Sequence, residues 1–562
     1  MDEKTAETVM PRYWRGVTKA RPPSDTEIIF GAFDTETFFG RVFATGFYDG
    51  KTCDILHGLE RDHVTWLLDK CFDLTKRHRG RVIVAAHYLV FDLSVLFWPL
   101  INPMGSKTAS RAPRASHFSI LKSKTEVRIV WSKPCFATFK RGKNSVSVID
   151  TFSFFTMGLA KALVMISAET QKLDKPVALG KRIIPLKELR PYLVNDTKGV
   201  YELLDELHRL HQKYAVKFTL SLPMLSGQVF RTHYLKKDFQ EPSGALRHAA
   251  MLSYHGGKNA FPGKPGWFKD AFDLDINSAY PEAMRQLPDF ENGRWRMVRG
   301  KKECLANLHG IYRVTGVLKP CAWGCLFNHD FTKASGRVVG LWITGYELRE
   351  AMLSGELELK AVLGYAFKSK SRRPSPFAAF VAHFYEMKEK AKSPTERYFY
   401  KLILNSLYGK FIARIEDLDG KLVAGSMFDP TIASLITGYV RAKVHRLEHK
   451  YNAIHTATDG FITQQTPDPA DLGPEMGKLK QVNHGPCLIL RNKLYLHFDG
   501  SGNLKKSGLH GFEGSPDELK KLWDESKRVY HVKRLSKWSQ AWHTGIAPGV
   551  EISSRRVLGV KV

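Results

Sequence analysis

Ala271-Phe-Asp-Leu-Asp275-Ile276-Asn-Ser278-Ala-Tyr280-Pro281 is the stretch on which the fold turns. It alternates: Phe272, Leu274 and Ile276 share one face of a strand, Asp273 and Asp275 the other, and Pro281 is expected to end it. Starting 126 residues beyond Asp275, Lys401-Leu-Ile-Leu-Asn405-Ser406-Leu-Tyr408-Gly409-Lys410 has helical spacing instead. Lys401, Asn405 and Tyr408 fall at i, i+4 and i+7, one stripe. A cation, an amide and an aromatic ring in line suit a nucleoside triphosphate: Lys for phosphate, Tyr for stacking on the base pair, Gly409 for close approach. The stripe belongs to a helix expected over 396–411, after the Ser393-Pro394 break, paired with another over 377–392.

Composition narrows the classes around these elements. The chain has 562 residues, 43% of them apolar, which excludes disorder and collagen-like repeats and allows roughly three or four domains. Lys and Arg number 85 against 56 Asp and Glu, a net charge of +29 that makes a polyanion the natural partner. The excess clusters: residues 105–144 hold ten Lys/Arg and one acid, residues 501–562 twelve against six, as suits a long strand tracked by several domains. No apolar run is long enough to span a membrane, and the polar start lacks a secretion signal, so no membrane partner and a cytoplasmic location are expected. The seven cysteines form no Cys-x-x-Cys pair. Cys321, Cys325 and His329 are read as packing residues in preference to a metal set.

The first 220 residues mix strand-like runs (28–33, 81–86, 127–131, 146–149) with helical stretches such as 196–214, an α/β unit. Its carboxylates stand out. Asp34 and Glu36 lie on one face of a strand end, Asp92 follows an apolar strand and Phe91, and Tyr192 and Asp196 sit one turn apart on a helix. In-line attack on a phosphodiester needs an activated hydroxide and a stabilised leaving oxygen, which two divalent ions supply.

The order Asp34-x-Glu36, Phe91-Asp92, Tyr192-x-x-x-Asp196 resembles the proofreading 3′-5′ exonucleases of the ribonuclease-H-like fold. The resemblance implies that Asp34, Glu36, Asp92 and Asp196 hold two metals, that Tyr192 orients the attacking water and that Phe91 meets DNA. One departure is Tyr88, where that family usually carries Asn, so the grip on a single-stranded end is expected to differ.

The two stretches quoted first resemble motifs A and B of family B DNA polymerases, Asp-x-x-Ser-x-Tyr-Pro and Lys-x-x-x-Asn-Ser-x-Tyr-Gly. Tyr254-His-Gly256-Gly257, Lys493-Leu-Tyr495 and the basic Lys505-Lys506-Ser-Gly-Leu-His-Gly511 look like motifs of the protein-primed branch found in phages and linear plasmids. The resemblance covers about residues 28–512. It implies an exonuclease domain (1–220), a linker motif and first part of a palm (221–300), an insertion (301–375), fingers (376–415), the second part of the palm (416–490) and a thumb with the C-terminal region (491–562). It further implies DNA synthesis with proofreading on a viral or plasmid-type genome, in the host cytoplasm if phage-encoded. Mg²⁺ or Mn²⁺, two ions per site, and dNTPs are the expected cofactors and substrates; template and primer DNA are the expected partners. Asp275, Ile276 and Asp459 hold the metals on this reading. Ser278, Tyr280, Lys388, Lys401, Asn405 and Tyr408 bind the nucleotide, with Tyr280 excluding a ribose 2′-hydroxyl. Tyr254, Gly256, Gly257, Lys493, Tyr495 and Lys506 bind DNA.

Motif C departs from the family's Asp-Thr-Asp-Ser: the chain reads Thr456-Ala457-Thr458-Asp459-Gly460. Asp459 occupies the ligand position and Ala457 replaces the first Asp, a loss that Asp273 is expected to offset. The segment after Gly409 is short, so the second insertion of that branch is expected to be trimmed. Two other readings stay open: an exonuclease with a degenerate polymerase half, and a non-catalytic nucleic-acid scaffold. Initiation from a terminal protein, a nucleic-acid primer or no primer also stays open.

Overall fold

The computed structural model describes residues 16–557 apart from 24–26, 78–79, 102–111, 132–133, 180–181, 322, 372, 417–421, 499–503, 508–517, 519–520, 522–528 and 545. Part of the basic zones and Gly511 lie outside the described residues, as does the side chain of Lys506, whose backbone is in a strand.

The α/β unit is built on an eight-stranded mixed sheet. Its strands are β1 (Ile28–Phe38), β2 (Arg41–Tyr48), β3 (Cys53–His57), β4 (Arg81–Ala86), β5 (Ala115–Ile120), β6 (Thr125–Val130), β7 (Phe136–Arg141) and β8 (Asn144–Asp150), in the order β3-β2-β1-β4-β8-β7-β6-β5. β1 and β8 flank β4 in parallel and the other pairs are antiparallel. β4 reads as a continuous apolar run because both faces of the sheet are covered. Phe33, Val82 and Val84 meet the helices His63–Arg77 and Leu89–Ile101 on one face, while Phe30, Ile83 and Ile149 pack with Leu203, Leu204 and Leu207 of the long helix Leu186–Lys213 on the other.

The second half carries four further sheets among the described residues. β9 (Lys258–Ala260), β10 (Gly266–Ile276), β17 (His455–Thr458), β18 (Gly460–Thr463), β19 (Leu479–Arg491), β20 (Leu494–Phe498) and β21 (Leu504–Ser507) form a seven-stranded antiparallel sheet with β10 at its centre. β11 (Gly293–Arg299), β12 (Gly310–Leu318), β13 (Gly336–Thr344) and β14 (Leu357–Ser369) form a separate four-stranded sheet. Between Gly409 and Pro430 the described residues form a small hairpin, β15 (Arg414–Glu416) with β16 (Leu422–Ala424). Strands β22 (Val529–Leu535) and β23 (Glu551–Val557) pair near the end of the described chain.

The expected helix pair is Pro376–Glu389 and Pro394–Ser406. Each begins with Pro at N1 behind a serine cap: Ala378 N donates to Ser375 Oγ at 3.1 Å and Glu396 N to Ser393 Oγ at 3.2 Å. The second helix stops short of the expected 411, because Tyr408–Ile412 tightens into a 3₁₀ turn. Pro281 does not end the strand either: β10 stops at Ile276, and Pro281 sits in the first turn of the helix Ala279–Arg285, where a missing N–H costs nothing. The pair stands on the first domain, with Phe399 edge-on to Phe155 at 5.6 Å and Tyr398 donating to the carbonyl of Phe155. The C-terminal helix Trp538–Thr544 also docks there, Trp538 stacking on Trp131 at 4.0 Å.

Behind the seven-stranded sheet the helix Pro430–Lys450 buries Arg441 completely. Its guanidinium lies 2.8 Å from Glu347 Oε1 and donates to the carbonyls of His255 and Gly256. Arg441→Ala leaves Glu347 buried without its partner, and the expected loss is about 3–5 kcal/mol. Urea denaturation checks this; a loss under about 1 kcal/mol would show that the pair contributes little.

Candidate active sites

Two carboxylate-lined cavities lie in the two halves. The first, about 590 Å³, gathers Asp34, Glu36, Asp92, Tyr192 and Asp196, with Phe91 and Tyr88 at its edge. Strand alternation puts Asp34 and Glu36 on one face of β1, and the residue opposite Asp34 on β2 is Gly46. A Cβ on Gly46 would lie 2.9 Å from Leu193 and 3.1 Å from Thr197, so glycine is what lets the helix bearing Tyr192 and Asp196 close on that face. Asp92 sits in the first turn of the helix Leu89–Ile101, where the helix dipole favours a negative charge. Asp150 holds that helix start by accepting from the amides of Tyr88 (2.9 Å) and Leu89 (3.2 Å). Thr35 Oγ1 donates to Asp92 Oδ1 at 2.6 Å.

Tyr88 has φ +72°, the left-handed region that Asn visits more readily than other side chains. That backbone demand is a reason for Asn at this place elsewhere. Here Tyr88 meets it and rests edge-on against Phe152 at 5.5 Å.

Burial and mutual repulsion raise the carboxyls. Asp34 is pushed up to about 7, mainly by burial and then by Asp196. Glu36 and Asp92 are raised by burial and then by Asp34, and Asp196 is raised by burial. Two lysines line the cavity: Lys172 Nζ pairs with Asp196, donates to the Tyr192 hydroxyl at 3.2 Å and lies over that ring, and Lys175 acts on Glu36. Lys172 escaped the sequence reading because it lies on an irregular stretch with no periodic pattern around it. Asp196 Oδ1 is buried without a hydrogen-bond partner among the described residues. Four carboxylates with more negative charge than two lysines offset fit hard divalent cations.

The second cavity, about 890 Å³, is lined by Asp275, Ile276, Ser278, Tyr280, Lys388, Lys401, Asn405, Tyr408 and Asp459. Asp275 lies one residue before the end of β10, next to the β17–β18 turn, where Ile276 N donates to Asp459 O at 3.0 Å. The turn closes through Asp459 N to Ala457 O at 2.9 Å, with Thr458 at φ +67°. Gly460 faces Asp275 across the ladder, and a Cβ there would approach Asp275 Oδ1 to 2.6 Å. Asp459 is raised to about 6, by burial first and by Asp275 second. Tyr280 and Tyr408 stack at 4.1 Å with 8° between their planes, which joins the β10 segment to the helix pair. Lys388 Nζ lies 2.9 Å from Glu389 and over the Tyr385 ring, and Arg397 lines the same wall, unforeseen from sequence.

Ala457 stands opposite Gly460, which stands opposite Asp275. A carboxylate at 457 would thus project two strands, about 10 Å, from Asp275. Asp273 is buried, lies in the cross-strand row of Ile462 and His455, and is absent from the cavity lining. It acts electrostatically on His455, so nothing in this placement supports the expected compensation for Ala457.

Gly257 lies against Thr458 and the Tyr280 hydroxyl, with 2.5 Å and 3.0 Å left for a Cβ, and Gly256 supplies a carbonyl to Arg441. Tyr254 is half-buried close to Arg441 and Arg414. Lys493 and Tyr495 lie behind the β17–β18 hairpin: Lys493 N donates to His455 Nε2 at 3.2 Å, and buried Tyr495 packs on the same ring at 5.0 Å. The structure does not bring these two into either cavity.

A proton on Asp34 relieves the first cavity, so its share of stability is present at low pH and lost as pH rises through about 7, above the unfolded value near 3.9. A dication bound there would replace that proton. Addition of Mg²⁺ or Mn²⁺ to chelator-treated protein is expected to raise Tm more at pH 8 than at pH 6. Calorimetry at the two pH values checks this; an equal gain at both would rule it out.

Residues 181–424 match the sequence family described as DNA polymerase type B, organellar and viral. The DNA polymerase of Acidianus bottle-shaped virus (isolate Italy/Pozzuoli) is 27% identical over 265 residues, 44% of this chain and 38% of that protein. A probable DNA polymerase of Agaricus bitorquis is 27% identical over 259 residues, 43% of this chain and 31% of the relative. The chain thus spans well under two thirds of these relatives. In three dimensions it superposes on Phi29 DNA polymerase with a TM-score of 0.64 at 16% identity, covering 95% of this chain and all of the other. The same polymerase solved with primer-template DNA and incoming nucleotide gives 0.63 at 17% identity over 96% of this chain and all of that one. The fold is therefore the expected one, an α/β exonuclease-type domain followed by a right-hand arrangement of palm, fingers and thumb, and in sequence and fold the chain resembles the family B DNA polymerases of the organellar and viral type.

Proposed function

We propose that the chain is a template-directed DNA polymerase with a separate 3′-5′ proofreading exonuclease. The observation that carries the reading is the second cavity: Asp275 and Asp459 adjoin across a strand end and a turn, facing Lys388, Lys401 and the Tyr280–Tyr408 stack. Asp275 and Asp459, with the backbone at Ile276, would hold Mg²⁺ or Mn²⁺ there, and Asp34, Glu36, Asp92 and Asp196 would do so in the first cavity. When bound, two ions per site activate an oxygen nucleophile and neutralise charge on the leaving oxygen. The chain's own groups do the rest. Lys401 and Lys388 bind triphosphate oxygens, Asn405 and Ser278 orient the nucleotide, and Tyr408 stacks on the nascent base pair. Tyr280, fixed on Tyr408, closes the space that a ribose 2′-hydroxyl would need. In the first cavity Tyr192 and Lys172 orient a water against a phosphodiester, and Phe91 holds the strand end. Tyr254, Gly256 and Gly257 guide DNA between the two.

The known polymerases that the chain resembles in sequence and fold support this reading. Priming from a terminal-protein hydroxyl is its finer part and rests on the Tyr254–Gly257 and Lys493–Tyr495 motifs. A second reading, an exonuclease with a silent polymerase half, has Ala457 in its favour. Incubation with primer-template DNA, Mg²⁺ and dNTPs decides: extension is expected, and degradation without extension would overturn the proposal.

Asp34→Ala combined with Glu36→Ala is expected to abolish 3′ degradation of labelled DNA and leave extension largely intact. Equal loss of both in a folded variant would refute two independent sites.

Lys401→Ala removes a charge-assisted phosphate contact worth about 1.5–3 kcal/mol, so kcat/KM for dNTP incorporation should fall about 10- to 150-fold. Exonuclease rates should not change. Unaltered dNTP kinetics would exclude Lys401 from the nucleotide site.

A further inference from the structure

Outside both cavities, the loop after β12 meets the helix Pro430–Lys450 through a set of metal-binding side chains. Cys325 (0% exposed), Glu356 (5%) and His445 (1%) each place a ligand atom within 4.8 Å of the others. Cys325 Sγ is 3.6 Å from Glu356 Oε2, and His445 Nε2 is 3.6 Å from the same oxygen. Around a tetrahedral ion with bonds of about 2.0–2.3 Å, neighbouring ligand atoms stand about 3.3–3.7 Å apart, the spacing of both contacts to Glu356 Oε2.

The imidazole is oriented as a ligand too. Its Nδ1 donates to the carbonyl of Trp323 at 2.8 Å, which leaves the lone pair on Nε2. That Nε2 is buried with no hydrogen-bond partner among the described residues, and it faces Glu356. Charge leads the same way. Glu448 is buried beside this cluster, but Lys258 pairs with it and also donates to Trp323 O at 2.6 Å. Among the described residues Glu356 forms no ion pair with Lys or Arg; its contacts are the Cys325 amide and thiol and His445. A buried carboxylate so placed needs a cation, and a dication with one thiolate and one carboxylate makes a neutral unit.

A second pair adjoins. Cys321 Sγ is 3.7 Å from His449 Nε2, and the rings of His445 and His449 lie 4.4 Å apart. Cys321-x-x-x-Cys325 on the loop therefore faces His445-x-x-x-His449 on the helix, the spacing within each pair that structural zinc sites use. His329, considered with the two cysteines from sequence, points away and bonds the carbonyl of Leu252.

We propose that Cys325, Glu356 and His445 form a buried structural site for a zinc-class transition-metal ion, with the more exposed Cys321–His449 pair beside it. The ion clamps the loop at 321–325 to the helix that leads into the β17–β18 hairpin. Buried among its ligands, it takes no part in chemistry at either cavity.

Cobalt reports thiolate ligation directly. The chelator-treated full-length chain titrated with Co²⁺ alone is expected to develop a thiolate-to-cobalt charge-transfer band that saturates at one equivalent, and Zn²⁺ alone should abolish the band and raise Tm. Cys325→Ser and His445→Ala should each remove the band. If either variant fails to fold, the wild-type titration still decides, because absence of the band together with a Tm indifferent to Zn²⁺ overturns the site. A band that persists in folded Cys325→Ser would place the metal elsewhere and overturn it equally, leaving a hydrogen-bonded cluster only.

Discussion

A single buried guanidinium sets the arrangement of the polymerase-like half. Arg441 cannot shed its proton, so a place with no water must supply it with acceptors. Those acceptors come from the helix after β13, through Glu347, and from the carbonyls of His255 and Gly256. Three segments distant in sequence are thereby drawn to one point. Gly257 follows directly and rests against Thr458 and Tyr280, so the position of the turn that carries Asp459 depends on that convergence. A thoroughly apolar core would have allowed these segments to slide; directional bonds to one planar group do not.

The two carboxylate cavities solve a common electrostatic problem by different means. In the first, four acids are enclosed with two lysines, and burial holds Asp34, Glu36 and Asp92 well above their ordinary range. In the second only two acids adjoin, Asp459 is raised less, and the basic side chains line the far wall. Glycine makes room in both. Gly46 admits a helix over Asp34, and Gly460 leaves space for the carboxylate of Asp275. The acids are legible as chemistry, whereas these glycines are legible only once it is known what stands opposite them.

The same distinction governs how far the sequence could be read. Alternation around Asp275, the stripe of Lys401, Asn405 and Tyr408, and the Tyr192–Asp196 turn are local patterns, and each falls where periodicity places it. Four of the eight strands of the first domain, β1, β4, β6 and β8, were visible at least in part, and at β4 burial on both sides writes a continuous apolar run. What escaped was non-local. Lys172 reaches its acids from a loop, and His445 and His449 meet cysteines 120 or more residues away. Pro281 misled because proline is compatible with both a strand end and a helix start. Tyr495, expected to bind DNA, is buried and packs on His455.

The roof of the first cavity comes from the far end of the chain. Leu535, Gly549, Val550 and Glu551 line it, and Gly40, at φ +74°, leaves only 2.8 Å between a Cβ and the carbonyl of Pro548. Emerging from a ribosome, the first 220 residues thus lack both this cover over their acids and the stacking partner of Trp131. Enclosure waits for residues translated some 500 codons after Asp34. Until then a nascent chain carries the carboxylate cluster without its lid, and any product terminated before residue 535 keeps it that way.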